Sequence, residues 1–230
     1  MVEGYSQIAV LAKRAIDILV SLAGLLVFLP LMLAIALLVF ATEGFPLLYR
    51  ERRLGRQGQP FSLYKFRTLK PGSAKERSVA PEDDPRITGA GLWLRRWRLD
   101  EFPQLFNVLC GHMSLVGPRP MPPAHAAALA AEQLDVLLSV RPGITDAAAI
   151  HFLAEDAVLA GRDDAETLYL QCLLPVKASM QIDSLRHWRL TGDFQVAMAT
   201  LTQLWSRHAR DKSAMAMREI LETAAGESPV

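Results

Sequence analysis

From Ile18 to Thr42 the chain carries no aspartate, glutamate, lysine, arginine or histidine. That run of about 25 residues is roughly 37 Å long as a straight helix, enough to cross a hydrocarbon core of about 30 Å. It is apolar on every face, which a core helix of a soluble domain rarely is. A cleavable signal sequence fits poorly, because the apolar region is too long and "FATEGF" offers no small-x-small cleavage site. Membrane insertion is therefore expected.

The flanks leave two geometries open. Lys13 and Arg14 precede the run, and Arg50, Arg52 and Arg53 follow it. A straight span would put these basic groups on opposite sides, against the positive-inside bias. A re-entrant helix-break-helix would keep both on one face beside anionic headgroups. Pro30, preceded by Leu29, lies near the midpoint, removes one N–H and kinks the helix there; proline is also tolerated in spanning helices.

Beyond the apolar run, Gly44–Pro46 ends the helix. Pro46–Arg53 and Pro60–Leu69 read as two short strands joined by a glycine-rich turn at 55–58. Lys70–Arg86 is rich in proline and charge and reads as a mobile loop. Leu92, Trp93 and Trp97 are spaced for one face of an amphipathic helix, and a further helix is expected over Phe102–Leu109. "VGPRPMPP" is a rigid loop, His125–Val140 is helical, and helices recur at Leu168–Leu174, Lys177–Arg189 and Asp193–His208. The expected fold is mostly α with a small β element (α+β). It divides into a membrane anchor (1–45), a membrane-surface catalytic domain (46–210) and a polar C-terminal tail (211–230).

The net charge of +1 hides basic clusters at Lys13–Arg14, Arg50–Lys70 and Arg86–Arg98, and nothing in the pattern points to nucleic acid. Cys110 and Cys172 match no metal or redox spacing and read as reduced thiols. The histidines show no ligand spacing, Glu82–Asp84 reads as a solvated acidic loop, and no phosphate-loop or dinucleotide glycine pattern occurs. Chemistry concentrates in "RRWRLDEFPQL". There the adjacent acids Asp100 and Glu101 follow Arg95, Arg96 and Arg98. Carboxylates near a helix start also suit the helix dipole. Nearby cations, however, hold a carboxylate ionised beside an anionic substrate, and an aspartate so placed can attack phosphorus. Lys65 and Arg67 stand at period two on one expected strand. Arg119 lies between prolines in "VGPRP" and Arg141 in "VRPGIT", stiff turns suited to bidentate phosphate binding.

Taken in order, "KRAIDILVSLAGLLVFLPLM", "RRLGRQGQPFSLYKFRTL", "DDPRITGAGLWLRRWRLDEFPQLFNVLCGHMSLVGPRPMPP" and "VRPGIT" resemble the bacterial sugar transferases that are monotopic polyprenyl-phosphate phosphoglycosyl transferases. The resemblance runs from about Lys13 to Leu204, is densest from Arg52 to Pro120, and fits the small members that consist of the catalytic domain alone. It implies transfer of a sugar-1-phosphate from a UDP-sugar to undecaprenyl phosphate with release of UMP and with Mg2+. This would be the first membrane step of a surface polysaccharide such as exopolysaccharide or lipopolysaccharide. By resemblance Asp100 is the nucleophile that carries the phosphosugar, and Glu101 is its partner in metal and proton handling. Lys65, Arg67, Arg95, Arg119 and Arg141 hold phosphate groups or orient the pair, and Pro30 is the break of a re-entrant helix. The enzyme would sit in the bacterial inner membrane, packed against lipid, with its catalytic domain on the cytoplasmic face; membrane packing is compatible with a homodimer. Leu29 stands where the family usually has serine, Arg98 replaces a small polar residue, and "DAAAIHF" after Thr145 departs from the family's continuation. The competing expectation is an inactive, membrane-anchored relative that binds lipid or nucleotide sugar as a scaffold.

Overall fold

The computed structural model of the chain describes residues 6–70, 72, 80–203 and 206–226. Most of the expected mobile loop between Lys70 and Arg86, namely residue 71 and residues 73–79, lies outside the described residues. The apolar run forms one helix, α1 (Gln7–Glu43), which ends at Gly44 with φ of 68°. Leucine and alanine dominate it, as helix propensity favours. Its buried stripe is Asp17, Ser21, Leu25, Met32, Ile35 and Val39, a single helical face. The other faces stay apolar and exposed: Leu19, Leu26, Val27, Leu33 and Leu37 are each more than 60% exposed. Among the described residues α1 is the one helix long and apolar enough to cross a membrane. Pro30 stands inside it without interrupting it. The helix-break-helix expectation thus meets a continuous helix in which proline withholds one hydrogen bond, and Leu29 lies on the exposed face.

A hairpin follows, β1 (Leu48–Leu54) against β2 (Pro60–Phe66), antiparallel with Tyr49 opposite Lys65. Both strands are shorter than expected. Next come α2 (Gly89–Arg96), a tight 3-10 turn at Leu99–Glu101, and α3 (Gln104–Leu109). Leu92, Trp93 and Trp97 do share one face, but it points outward while Gly91 and Leu94 turn in; periodicity alone does not say which face is buried. A pair of strands the sequence did not announce, β3 (Ser114–Val116) and β4 (Gly143–Thr145), run parallel. They approach so closely that a Cβ on Gly143 would stand 2.2 Å from the Gly117 nitrogen, and one on Gly117 would stand 2.6 Å from the Arg141 carbonyl oxygen. Only glycine fits at both points.

Between β3 and β4 lie α4 (Pro123–Ala126) and α5 (Ala131–Leu138), so the helix expected over His125–Val140 is broken near Leu129. The C-terminal part adds α6 (Ala147–His151), α7 (Glu155–Val158), α8 (Ala165–Leu168), a π-helical turn at Tyr169–Leu173, and α9 (Leu174–Arg186). It closes with α10 (Leu190–Gln203) and α11 (Arg207–Gly226). The stretch expected to be a polar tail from residue 211 is helical as far as Gly226. Met217 and Leu221 bury themselves there among Phe152, Leu159 and Leu173, with Ala214 and Ile220 packed beside them, an apolar stripe that docks the helix.

A second cluster joins Leu25, Met32, Ile35 and Val39 of α1 to Phe66 and Leu94, with Leu99, Phe102 and Leu105 packed against it. Helix α1 therefore shares a core with the turn at Leu99–Glu101.

Candidate active site

Asp100 and Glu101 sit on the 3-10 turn. The preceding Arg98 adopts φ 53°, ψ 25°, a left-handed conformation that swings both carboxyls inward. Such a conformation is uncommon for a residue with a Cβ. Asp100 and Glu101 are 5% and 8% exposed. Lys65, near the end of β2, donates from Nζ to Glu101 Oε1 at 3.1 Å. Arg119, in the turn after β3, donates from Nη2 to the same oxygen at 2.5 Å. Asn107 of α3 fixes the position of β2. Its Nδ2 donates to the Ser62 carbonyl at 2.7 Å and its Oδ1 accepts from the Tyr64 N–H at 3.0 Å, so a helix side chain acts as a strand edge.

The two carboxyls are held differently. Burial opposes ionisation of Glu101, but Arg119, Lys65 and Arg98 outweigh it and hold the carboxyl well below the usual carboxylate range. Asp100 is pushed the other way: burial raises it, and the charge of Glu101 adds to that against the pull of Lys65, Arg95 and Arg98. Among the described residues no group donates a hydrogen bond to the Asp100 side chain, and both cationic partners of Glu101 use Oε1, leaving Oε2 uncommitted. One carboxylate is a fixed anchor; its neighbour is free. Arg119 is pushed above the ordinary arginine value, chiefly by Glu101.

Of the residues singled out from sequence, Asp100, Glu101, Lys65 and Arg119 meet, and Arg95 acts on Asp100 from the end of α2, with its Nη1 buried and unpartnered. Arg67 and Arg141 do not join them. β2 ends at Phe66, so the alternation expected to put Lys65 and Arg67 on one face stops there. Arg67 instead donates from Nη2 to the carbonyls of Glu43 at 2.5 Å and Gly44 at 2.9 Å, closing the C-terminus of α1. Arg141 donates from Nε to the Gly111 carbonyl at 2.8 Å. Sequence reasoning missed the role of Asn107, although an asparagine in the apolar run "QLFNVL" was a signal. It also missed Asp17, buried in α1, which accepts from Ser114 Oγ at 2.8 Å and from the Leu115 N–H at 3.1 Å.

Mg2+ is commonly held by one or two carboxylates together with substrate phosphates. The uncommitted oxygens of Asp100 and Glu101 suit that donor set, although the described residues contain no group of three or more acidic, histidine or cysteine side chains fit for a metal by themselves.

The chain is 34% identical over 199 residues to the UDP-glucose:undecaprenyl-phosphate glucose-1-phosphate transferase of Escherichia coli, covering 83% of this chain and 39% of that protein. A Caulobacter vibrioides protein of the same name is 33% identical over 197 residues, 84% of this chain and 70% of its own length. The undecaprenyl-phosphate galactose phosphotransferase of Salmonella typhimurium is 37% identical over 149 residues, 58% of this chain and 31% of that protein. The chain thus spans well under half the length of the Escherichia and Salmonella proteins. The bacterial sugar transferase profile matches residues 8–207, from the start of α1 to the start of α11 and with the Asp100–Glu101 pair inside it, and the chain belongs to that family.

Proposed function

We propose that this chain transfers a sugar-1-phosphate from a nucleotide-diphosphate sugar, a UDP-sugar, to undecaprenyl phosphate. The observation that carries this is the unequal pair: Glu101 pinned by Lys65 and Arg119, and Asp100 beside it with no hydrogen-bond donor among the described residues. An Asp100 carboxylate oxygen attacks the sugar-bearing β-phosphorus. A P–O bond to the aspartyl group forms, the bond to the α-phosphate oxygen breaks, and UMP leaves with that electron pair. A phosphate oxygen of undecaprenyl phosphate then attacks the same phosphorus, giving the polyprenyl-diphosphate sugar and restoring the carboxylate. Lys65, Arg95 and Arg119 offset the negative charge that gathers as two anions approach. Mg2+ held by Asp100 and Glu101 would supply further neutralisation of the diphosphate. The relatives' names include both glucose and galactose transfer, so the sugar is a separate variable.

We infer further that α1 is re-entrant, with both ends on the cytoplasmic face. In support, Arg14 near its start donates to the Leu109 carbonyl at 3.2 Å, and its last carbonyls accept from Arg67. Both ends thus grip one domain, whereas a straight span would carry one of them to the far side. Cysteines introduced at Ser6 and Gly72, in a Cys110→Ser background, should both be labelled from the cytoplasmic side; periplasmic labelling of the first would restore the span. For the reaction, membranes containing the chain should release UMP from a UDP-sugar only with undecaprenyl phosphate and Mg2+ in turnover assays. Without acceptor, intact mass should show a phosphosugar adduct. Normal turnover by Asp100→Asn would rule out the covalent route.

A further inference from the structure

Away from the dyad, a cavity of about 640 Å3 opens between the first turns of α1, the β3–β4 pair, α9 and α10. Its volume lies within the range typical of ligand sites, about 300–1,000 Å3. Three guanidiniums line it: Arg14 of α1, Arg56 of the β1–β2 turn, and Arg141 before β4. Arg14 and Arg141 are gathered on one short loop. Arg141 donates to the Gly111 carbonyl, and Arg14 donates to the Leu109 carbonyl from a nitrogen 3.6 Å from where a Gly111 Cβ would stand. Burial, then the charges of Arg14 and Arg56, lower the Arg141 guanidinium from its ordinary value against the pull of Asp17, so Arg141 feels both neighbouring cations.

The carboxylates in the same cavity are already engaged. Asp17 holds Ser114 and the Leu115 N–H. Asp193 pairs with Lys13 and accepts from Trp188 Nε1 at 2.9 Å. Asp146 accepts from the Ala149 N–H at 2.9 Å and caps α6. Among the described residues none of Arg14, Arg56 and Arg141 forms an ion pair. Convergent, unneutralised guanidiniums are a phosphate-binding device. The rest of the wall mixes polar side chains, Gln7, Ser139, Gln181 and Ser184 among them, with apolar ones: Val10 and Leu11 line the cavity and are 41% and 69% exposed, one turn before the Lys13–Arg14 pair that flanks the apolar run.

From this conjunction we infer that the cavity binds the phosphate headgroup of a membrane amphiphile, with the hydrocarbon tail running out along the first turns of α1. The shared chemistry is a phosphate on an apolar tail, either a monoester such as a polyprenyl phosphate or a diester such as a bulk phospholipid. The inference rests on the lipid-facing position of α1, not on the transferase chemistry, and it is tested by binding rather than turnover.

The test uses the full chain in detergent micelles, titrated separately with undecaprenyl phosphate, dioctanoyl phosphatidic acid, dioctanoyl phosphatidylglycerol and inorganic phosphate, with occupancy read by native mass spectrometry. Arg14→Gln and Arg141→Gln should each weaken lipid binding about tenfold, as loss of a charge-assisted contact does, while Lys212→Gln on α11 should leave it unchanged. Arg56→Gln guards against a folding artefact, because no side-chain hydrogen bond ties Arg56 to the described residues; it too should weaken binding several-fold. Preference for the monoesters identifies an acceptor-type lipid, and equal binding of phosphatidylglycerol identifies a bulk headgroup. Lipid binding that is indifferent to all three arginines overturns the inference, as does inorganic phosphate binding as tightly as the lipids.

Discussion

Replacing Glu101 with glutamine removes the negative charge that Lys65 and Arg119 share and leaves two cations meeting at one neutral amide. Breaking a buried ion pair by deleting one partner costs about 3–5 kcal/mol when water is excluded. Here the Arg119 and Lys65 side chains keep 31% and 18% of their exposure, and glutamine retains an oxygen acceptor. Solvent screening and the surviving hydrogen bond bring the expected loss to roughly 2–3 kcal/mol. For a chain of this size each kcal/mol moves Tm by about 2–4 °C, so Glu101→Gln should melt roughly 5–10 °C lower than the wild type in the same micelles at pH 7. The pH dependence gives a second signature. The folded pKa of Glu101 lies below the ordinary 4.5, so its contribution is complete above that value and is lost as pH falls through the folded pKa. The gap between wild type and variant should therefore hold from neutrality to about pH 5 and close in stronger acid. Thermal scans at fixed rate across that range make the measurement. A variant as stable as wild type at pH 7, or a gap that persists unchanged in acid, would refute the shared-anion geometry.

Asp100→Asn should abolish turnover yet raise Tm at pH 7. Asp100 has a raised folded pKa, so its favourable contribution lies below the ordinary 3.8 and is lost as pH rises through the folded value. A gain of about 0.5–2 kcal/mol is expected from relieving a site built for function, and a lower Tm at pH 7 would contradict it. Arg98→Asn should be more stable than Arg98→Ala by up to about 1 kcal/mol, because both lose the charge and asparagine tolerates the left-handed conformation better; equal melting temperatures would show that φ is not held at 53°. Arg67→Ala should cost about 2 kcal/mol by releasing the carbonyls of Glu43 and Gly44. Arg67→Lys should recover only part, since an ammonium lacks the planar fork, and full recovery would mean that charge alone matters.

The features legible in the sequence are those set by local pattern. The uncharged run from Ile18 predicts α1 because a lone apolar segment can satisfy its backbone in hydrocarbon only within itself, as a helix, and "RLDE" announces two carboxylates among arginines. What depends on distant chain is not legible. Which of the two acids is neutralised depends on Arg119, carried into place by two three-residue parallel strands whose sole local signs are Gly117 and Gly143. Arg67 resembled Lys65 by spacing, but its fate was decided by where α1 ends. Ser213, Met217 and Leu221 recur every fourth residue in a polar stretch, a sparse stripe that composition hides and that periodicity could have found.

The shared core of α1 and the dyad turn connects these points. Met32, Ile35 and Val39 pack with Phe66 and Leu94, and Leu99 and Phe102, which flank Asp100 and Glu101, lie against the same cluster. Phe28 of α1 also meets Phe102 at 4.9 Å between ring centroids. The long apolar helix α1 is thus packed directly against the turn that presents the carboxylates, and close-packed interiors transmit displacement rather than absorb it. With the proposed reaction and α1 in the membrane, this packing would set the depth of Asp100 relative to the bilayer by side-chain contact. It also gives the buried face of α1 a reason to carry Asp17 at one end and aliphatic residues at the other: Asp17 docks to the β3 strand that leads to Arg119, and the aliphatic end supports the acids that Arg119 and Lys65 keep unequal.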